Sequence, residues 1–565
     1  MTTIPHLLEA RLRPCLPKGA AVHVTAVSDP RFGDYQTNAA MLLAKAQRTN
    51  PRQLAAQIVA GIDVSDLCEP PEIAGAGFIN FRLKPEFIAQ QTRAIMSDPK
   101  HGVPTAETPR KIVIDFSSPN VAKPMHVGHI RSTILGDALA RIARFLGHQV
   151  TTDNHVGDWG TQFGKVIYGW KHFRDDAALA AGPIDELVRL YKEANALSER
   201  DPEVLATCRE ELVKLQGGDP ENLAIWKETV ALSWKEFESM YDLLDIRFDH
   251  HLGESFYNDR LAPLVDRLLA SGVAEISEGA ACVFFRNDPA LAEKPALIRK
   301  SDGGFLYATT DLATLEYRVE AWRPDEIWYV VGAPQALHFQ QVFAVAQRLG
   351  IKAGLRHIPF GSILGEDRKL MKTRSGENVS LRDVLDEAQE RALKLVQEKN
   401  PTLLPAEQEA IARTIGIGAV KYAELSQHRM TDYVFSWEKM LSFQGNTAPY
   451  LQNAYVRVRS IFRKLDAAFV LPETLQLEAP AEVALAKKLL QYGETVPQTL
   501  EDFRPNLLAN YLFELAGTFH AFFEACPVLK SKGALRSSRL ALCDLTARVL
   551  REGVGLLGIG MPEKM

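Results

Sequence analysis

Apolar and polar positions change period along the chain, and the changes mark out its parts. In residues 1 to about 100, LLEARLRPCL and NAAMLLAKA space their apolar residues as helices do, whereas GFINFRL, from Gly77 to Leu83, alternates as a strand does. A small α+β module is predicted. It ends in SDPKHGVPTAETPRK, whose Pro, Gly and Thr give it the composition of a linker. The run Ile112-Val113-Ile114-Asp115-Phe116 then reads as a buried strand. After the loop SSPNVAKPMHVGH, residues Ile130, Ile134, Leu135, Ala138, Ile142 and Leu146 recur at helical spacing, and Gln149-Val150-Thr151-Thr152 resumes as a strand. That is a βαβ unit, and it predicts a parallel sheet.

From about 175 the chain is rich in helix formers and charge (ELVRLYKEANALSERDPEVLATCREELVKL), so a helical insertion over about 175–290 is expected to interrupt the sheet. CVFFR, GGFLYATTDLATLEYRVEAW, EIWYVVGA and HIPFGSIL restore the alternation of strand and helix and are read as the second half of a doubly wound fold. Beyond about 380 the pattern is almost wholly helical. The expected domains are an α+β module at 1–105, an α/β domain at 106–380, a helical connector at 381–440 and an all-α domain at 441–565.

Composition narrows the class. A chain of 565 residues is too long for one core and suggests roughly three or four domains. With 46% apolar and 24% charged residues, all of it is expected to fold. The net charge of −5 argues against a sequence-independent grip on nucleic acid, although a local basic face would be hidden in that sum. Glu9, Arg11 and Arg13 break up the apolar N-terminus, and no stretch has the length of a membrane span. The six cysteines form no CxxC pair, which disfavours a disulfide framework and a structural zinc site and suits reduced thiols in a cytoplasmic protein.

The candidate chemistry begins at His126-Val127-Gly128-His129, where a strand hands over to a helix. In a parallel sheet that crevice receives nucleotides, because free helical N–H groups and the helix dipole favour phosphate. The two imidazoles could donate hydrogen bonds to an α-phosphate as charge builds there, and Gly128 would let a base or ribose approach the backbone. Taken alone, the four residues also admit an inert helix start, or a zinc site that lacks its third ligand and glutamate base.

The surrounding blocks decide more. DFSSPNVAKPMHVGHIRSTILGD resembles the nucleotide-binding signature of class I aminoacyl-tRNA synthetases, in the form shown by the arginyl-tRNA synthetases. VGDWGTQFG (Val156 to Gly164), FLYATTDLA (Phe305 to Ala313), KTRSG (Lys372 to Gly376), DYVFSWEKMLSFQGNTAPYLQNAYVRVRSI (Asp432 to Ile461) and the terminal LLGIGMPEKM resemble the same family in the same order. The likeness spans the chain. It implies a Rossmann-type catalytic domain that uses ATP, with Mg2+ accompanying the nucleotide and no zinc, and it implies L-arginine and tRNA(Arg) as partners, with no membrane. The expected form is a monomer.

The resemblance also distributes roles. The lysine-rich loop that closes over the triphosphate aligns with Met371-Lys372-Thr373-Arg374-Ser375, so its first lysine is replaced by Met371 and its second by Arg374. Lys369, Lys372 and Arg374 are then the candidate cations for the leaving pyrophosphate, beside His126 and His129, while Lys123, Gly128 and His338 complete the expected ATP contacts. A guanidinium is best held by carboxylates, and Asp115, Asp311 and Tyr307 match the family's arginine site. Ser118, Asn120, His126 and Gln341 match its other polar positions. A cysteinyl enzyme of the same class would use zinc-binding cysteines that this chain does not pair.

For tRNA, Tyr455, Arg459 and Arg463 are spaced to share a helix face near Arg457, a combination that grips phosphates and stacks bases but equally describes a solvated helix with buried aromatic anchors. Phe78 and Asn80 match positions that read a base of the tRNA elbow. A small-molecule nucleotidyltransferase would have little use for the helical C-terminal third. A catalytically dead RNA-binding paralogue would be free to lose His126, His129 or Asp311, and all three are present.

Overall fold

Four parallel strands, β1 (Lys111–Asp115), β2 (Gln149–Asp153), β3 (Glu326–Tyr329) and β4 (Gly354–His357), lie in the order β4-β3-β1-β2. Ile112, Val113 and Ile114 are all buried, as a strand covered on both faces requires. From β1 the chain moves to one side through helix α1 (Val127–Phe145) into β2, and returns to the other side of β1 as β3. The direction of winding therefore reverses between β1 and β3, where Asp115 stands opposite Tyr329, and ligands of such sheets bind at that point. This is a computed structural model, and it describes residues 2–365, 367–369, 371 and 379–565.

The six apolar positions that predict α1 are all buried. Helices α2 (Tyr307–Trp322) and α3 (Ala336–Arg348) flank β3, and α4 (Leu381–Lys399) and α5 (Pro405–Leu425) follow the sheet. The insertion differs from its expected form. Its helices run from Asp176–Ala181 to Asn258–Ala270, but Glu275–Ser277, Ala280–Val283 and Ala296–Arg299 form a separate three-stranded antiparallel sheet. CVFFR thus contributes to this small sheet and not to the parallel one. Ala281, Val283, Phe285 and Ile298 alternate into a core shared with α2 and Asn258–Ala270, and that alternation cannot tell which sheet a strand joins.

These elements belong to one compact unit, Glu107–Leu441 with Leu557–Ile559. A second unit joins Met1–Ala106 to Ser442–Leu556 and Gly560–Met565. In it, Val24–Ala26, Tyr35–Thr37, Phe78–Phe81 and Glu72–Ala74 form an antiparallel sheet in that order. The helical residues after Ser442 pack with this module. Tyr35 Oη donates to Glu494 at 2.7 Å, Lys487 reaches Asp34 at 2.6 Å, and Arg548 donates to the Met96 carbonyl at 2.9 Å. Periodicity describes neighbours along the chain and could not foresee that association. Among the described residues no helix is long and apolar enough to cross a membrane.

Candidate active site

The loop between β1 and α1 adopts backbone conformations that side chains resist. Ser117, Ser118 and Ala122 have φ of 74°, 47° and 60°, in the sparsely populated left-handed region. Each is held by its own N–H. Ser117 donates to Ser132 Oγ at 2.9 Å, Ser118 to Asn154 Oδ1 at 3.1 Å and Ala122 to Ser233 Oγ at 3.0 Å. A parallel bridge between Asn120 and Gly157 stitches the loop to the segment after β2. Ser118 Oγ donates to Asp115 Oδ1 at 3.1 Å, so Ser118 and Asn120 are fixed beside the end of β1.

His126 caps α1, and each of the two imidazoles accepts from a backbone N–H at the helix start. Gly128 N–H donates to His126 Nδ1 at 3.0 Å, and His126 N–H donates to His129 Nδ1 at 3.1 Å, with ring centroids 4.0 Å apart. Burial, then Lys123, lowers the pKa of His126, and burial, then His126, pushes His129 down to about 3. Both rings are therefore neutral at physiological pH. With each Nδ1 accepting, the proton of each ring must sit on Nε2, so the pair presents two N–H donors at a helix N-terminus.

A cleft of about 230 Å³ opens there, lined by His126, Gly128, Arg131, Gly332, Phe360 and Met371 among others. Its far wall, Phe360 to Ile363, runs very close to the chain near Asp432. A Cβ on Gly361 would lie 2.6 Å from Asp432 Oδ1 and 2.9 Å from the Met430 carbonyl, so only glycine fits. Lys123 is exposed, with Nζ 5.5 Å from the centroid of the Tyr191 ring. Lys369 is exposed, two positions before Met371 in the chain. Lys372 and Arg374 lie outside the described residues.

The acidic candidates separate into two groups. Asp115 is buried, and its Oδ2 accepts from Arg318 Nη2 at 2.7 Å. The same fully buried guanidinium bonds Asp153 at 2.8 Å. Asp115, an expected arginine contact, thus already holds a guanidinium, supplied by α2, the helix that also carries Tyr307 and Asp311. Tyr307 begins α2 and is 74% exposed, and Asp311 follows one turn later, paired with His338 Nε2. The pairing joins His338, an expected ATP contact, to Asp311, an expected arginine contact. Gln341 donates to the carbonyls of Lys294 and Pro295 at 2.9 and 3.4 Å, so it is tied to the small antiparallel sheet.

Sequence reasoning missed Glu254. Burial, then the negative charges of Asp311 and Asp158, push its carboxyl up to about 8. Asp158 is drawn in by Ser255, whose N–H and Oγ donate to it at 2.8 and 2.7 Å, and it passes so close to Gly253 that a Cβ there would lie 2.4 Å from Oδ2. Asp158 lies in the block VGDWGTQFG, which gave a signal, but Glu254 in HLGESFYN carries none. Burial of a carboxyl within reach of the charges of Asp311 and Asp158 is the pattern of a site whose acids act together, and it adds Glu254 to the candidates.

The RNA candidates fall in the other unit. Tyr455, Arg459 and Arg463 share a face of α6 (Ala448–Arg463), but that face meets the chain's own Glu563: Tyr455 Oη donates at 2.8 Å, Arg459 at 3.0 Å, and Arg463 binds the Glu563 carbonyl at 3.0 Å. Tyr455 is 2% exposed, so as it stands it is a buried anchor and not a stacking platform. Arg457 bonds His520 at 3.1 Å and lies over Phe523. Phe78 is half-buried and Asn80 buried, with no hydrogen-bond partner for Oδ1 of Asn80 among the described residues.

An imidazole pair at a helix N-terminus, at the switch point of a parallel sheet, is the arrangement of a nucleotide-using class I synthetase, and residues 91–437 match the family model of the class I (R) tRNA synthetase catalytic domain. Residues 2–83 match the arginyl-tRNA synthetase N-terminal domain and 451–565 the DALR anticodon-binding domain. The chain is 47% identical over 561 residues to an arginine–tRNA ligase of Cyanothece sp., covering 97% of this chain and 96% of that one. Crystallised arginyl-tRNA synthetases of Plasmodium falciparum and Thermus thermophilus superpose with TM-scores of 0.86 and 0.85 at 30% and 25% identity, over 100% of both chains in each case. The chain belongs to the arginyl-tRNA synthetase family.

Proposed function

We propose that this chain activates L-arginine with ATP and ligates it to tRNA(Arg), with arginine held between Glu254, Asp311 and Tyr307 and ATP lying over the imidazole pair. Glu254 and Asp311 carry this reading: the two acids act on one another near the start of α2, where Tyr307 is exposed, and a planar cation can engage both with charge-assisted bonds. Ser118 and Asn120, fixed at the end of β1, are left for the α-amino and carboxylate ends. A carboxylate oxygen of arginine attacks the α-phosphorus as the bond to the pyrophosphate oxygen breaks. The 2′-hydroxyl oxygen of the terminal adenosine then attacks the arginyl carbonyl, and AMP leaves.

His126 and His129 donate through Nε2 to the phosphate oxygens where charge accumulates, and the cations among Lys369, Lys372 and Arg374 meet the departing pyrophosphate. Magnesium enters with ATP as part of the substrate. Arg457, Arg459, Arg463, Phe78 and Asn80 remain the tRNA candidates; Tyr455 serves by anchoring α6. The enzyme acts in the cytoplasm as a monomer, with modules at 1–105, 106–380, 381–440 and 441–565. Aminoacylation of total tRNA with each amino acid in turn tests the reading: arginine alone is charged, and charging with any other amino acid refutes it.

A further inference from the structure

Arg131 lies one turn into α1 beyond the imidazole pair, lines the ATP cleft and is 3% exposed. Its Nε meets Glu424 of α5 at 3.0 Å, with both side chains buried. The same guanidinium donates to the Thr431 carbonyl at 3.0 Å and stacks over Tyr433, 5.4 Å from the ring centroid, while Tyr433 Oη donates to Glu424. Tyr433 then pairs in a parallel bridge with Ile363, a residue of the cleft's far wall.

Further bonds among the described residues hold that wall, one of them from the Ala333 N–H to the Phe360 carbonyl at 3.1 Å. Gly361 N–H donates to the Arg429 carbonyl at 2.9 Å, Ser362 N–H to Asp432 Oδ1 at 2.5 Å, and Arg429 Nη1 to the Pro359 carbonyl at 2.8 Å. Met371 N–H in turn donates to the Ile363 carbonyl at 3.2 Å. The segment from Arg429 to Phe435 therefore carries one wall of the cleft, and Arg131 with Glu424 ties that segment to the helix bearing the imidazoles. Two salt-bridged side chains of this kind contribute little net stability compared with apolar ones of equal size, but they fix one geometry.

On the reading that this cleft takes ATP, we infer that Arg131, Glu424 and Tyr433 are positioning residues that set the distance between the imidazole pair and the opposite wall, so that they govern ATP alignment and leave arginine recognition alone. Wild-type activity is first established as tRNA-supported ATP–pyrophosphate exchange with arginine; its absence would count against the function and not against this inference. Two variants then separate positioning from support. Tyr433→Phe removes one hydroxyl and keeps the ring, and Arg131→Met with Glu424→Leu replaces the ion pair by apolar side chains of similar volume.

Both variants are expected to keep the wild-type melting temperature within a few degrees, to raise the KM for ATP or lower kcat by about five-fold or more, and to leave the KM for arginine within about two-fold. Should either fold as wild type and retain its ATP parameters within about two-fold, the inference is overturned. It is equally overturned if the KM values for arginine and ATP rise together, because the residues would then support the whole domain. If the double variant fails to fold, Tyr433→Phe decides.

Discussion

Replacing Glu254 by glutamine probes the arginine pocket at its least expected member. Its carboxyl, held at about 8 by burial, Asp311 and Asp158, is only about one-tenth ionised at pH 7 and about three-quarters ionised at pH 8.5. If the guanidinium binds the ionised form, arginine affinity improves about eight-fold over that interval, with one proton released on binding. Glu254→Gln abolishes this dependence and removes one charge-assisted contact worth about 1.5–3 kcal/mol, a roughly 10- to 150-fold rise in the KM for arginine. The pH dependence is read as the difference between wild type and variant, which cancels titration of the substrate itself.

The same shift has a consequence for stability, and its sign is opposite to that of an ordinary paired carboxylate. A carboxyl raised in the folded state binds its proton more tightly there, so the fold is undisturbed below the unfolded value and loses stability as pH climbs towards the folded one. The slope is about 1.4 kcal/mol per pH unit at most, giving roughly 2–4 kcal/mol by pH 8 once partial hydration is allowed for. In urea titrations without arginine, Glu254→Gln therefore matches wild type at pH 5 and exceeds it at pH 8. An arginine KM within two-fold of wild type, with the wild-type pH profile intact, would refute the placement of Glu254 against the guanidinium.

Three further substitutions test other parts of the site. His129→Asn keeps an acceptor for the His126 N–H but deletes the Nε2 donor, and it is expected to lower exchange kcat by about 100- to 1,000-fold with the KM for arginine unchanged; steady-state kinetics decide. Gly361→Ala forces a Cβ to within 2.6 Å of Asp432 Oδ1, costing about 1–3 kcal/mol in urea unfolding and weakening ATP binding before arginine binding. Arg318→Met strands Asp115 and Asp153 without a countercharge, and a loss of about 3–5 kcal/mol is expected by denaturation. A loss below about 1 kcal/mol would show that neither carboxylate depends on it.

The parts of the fold visible in the sequence are those whose cause is local. The 3.6-residue period of α1 and the apolar run of β1 are each dictated by burial of neighbouring residues, and both appear where expected. Contacts between distant segments carry no such mark. Asp115 looked free for substrate because its partner, Arg318, lies 203 positions away. Tyr455 looked free for RNA because Glu563 is 108 positions away. Glu254 belongs to no period at all, and only the approach of Asp311 and Asp158 gives it meaning. Spacing and motif thus located the crevice, while the identity of the groups left unpaired within it depended on the fold.

The mutual capping of His126 and His129 restricts which molecules the cleft accepts. An imidazole coordinates a metal ion through an unprotonated nitrogen, and here each Nδ1 is already taken by a backbone N–H. Freeing an Nε2 lone pair would move the proton to Nδ1, where it would face another donor. The His-x-x-His spacing, which elsewhere serves zinc, is thereby converted into a surface that reads only hydrogen-bond acceptors. Stray transition metals should inhibit this enzyme poorly through these two residues, and inhibitors aimed at them should carry oxyanions and not chelating groups.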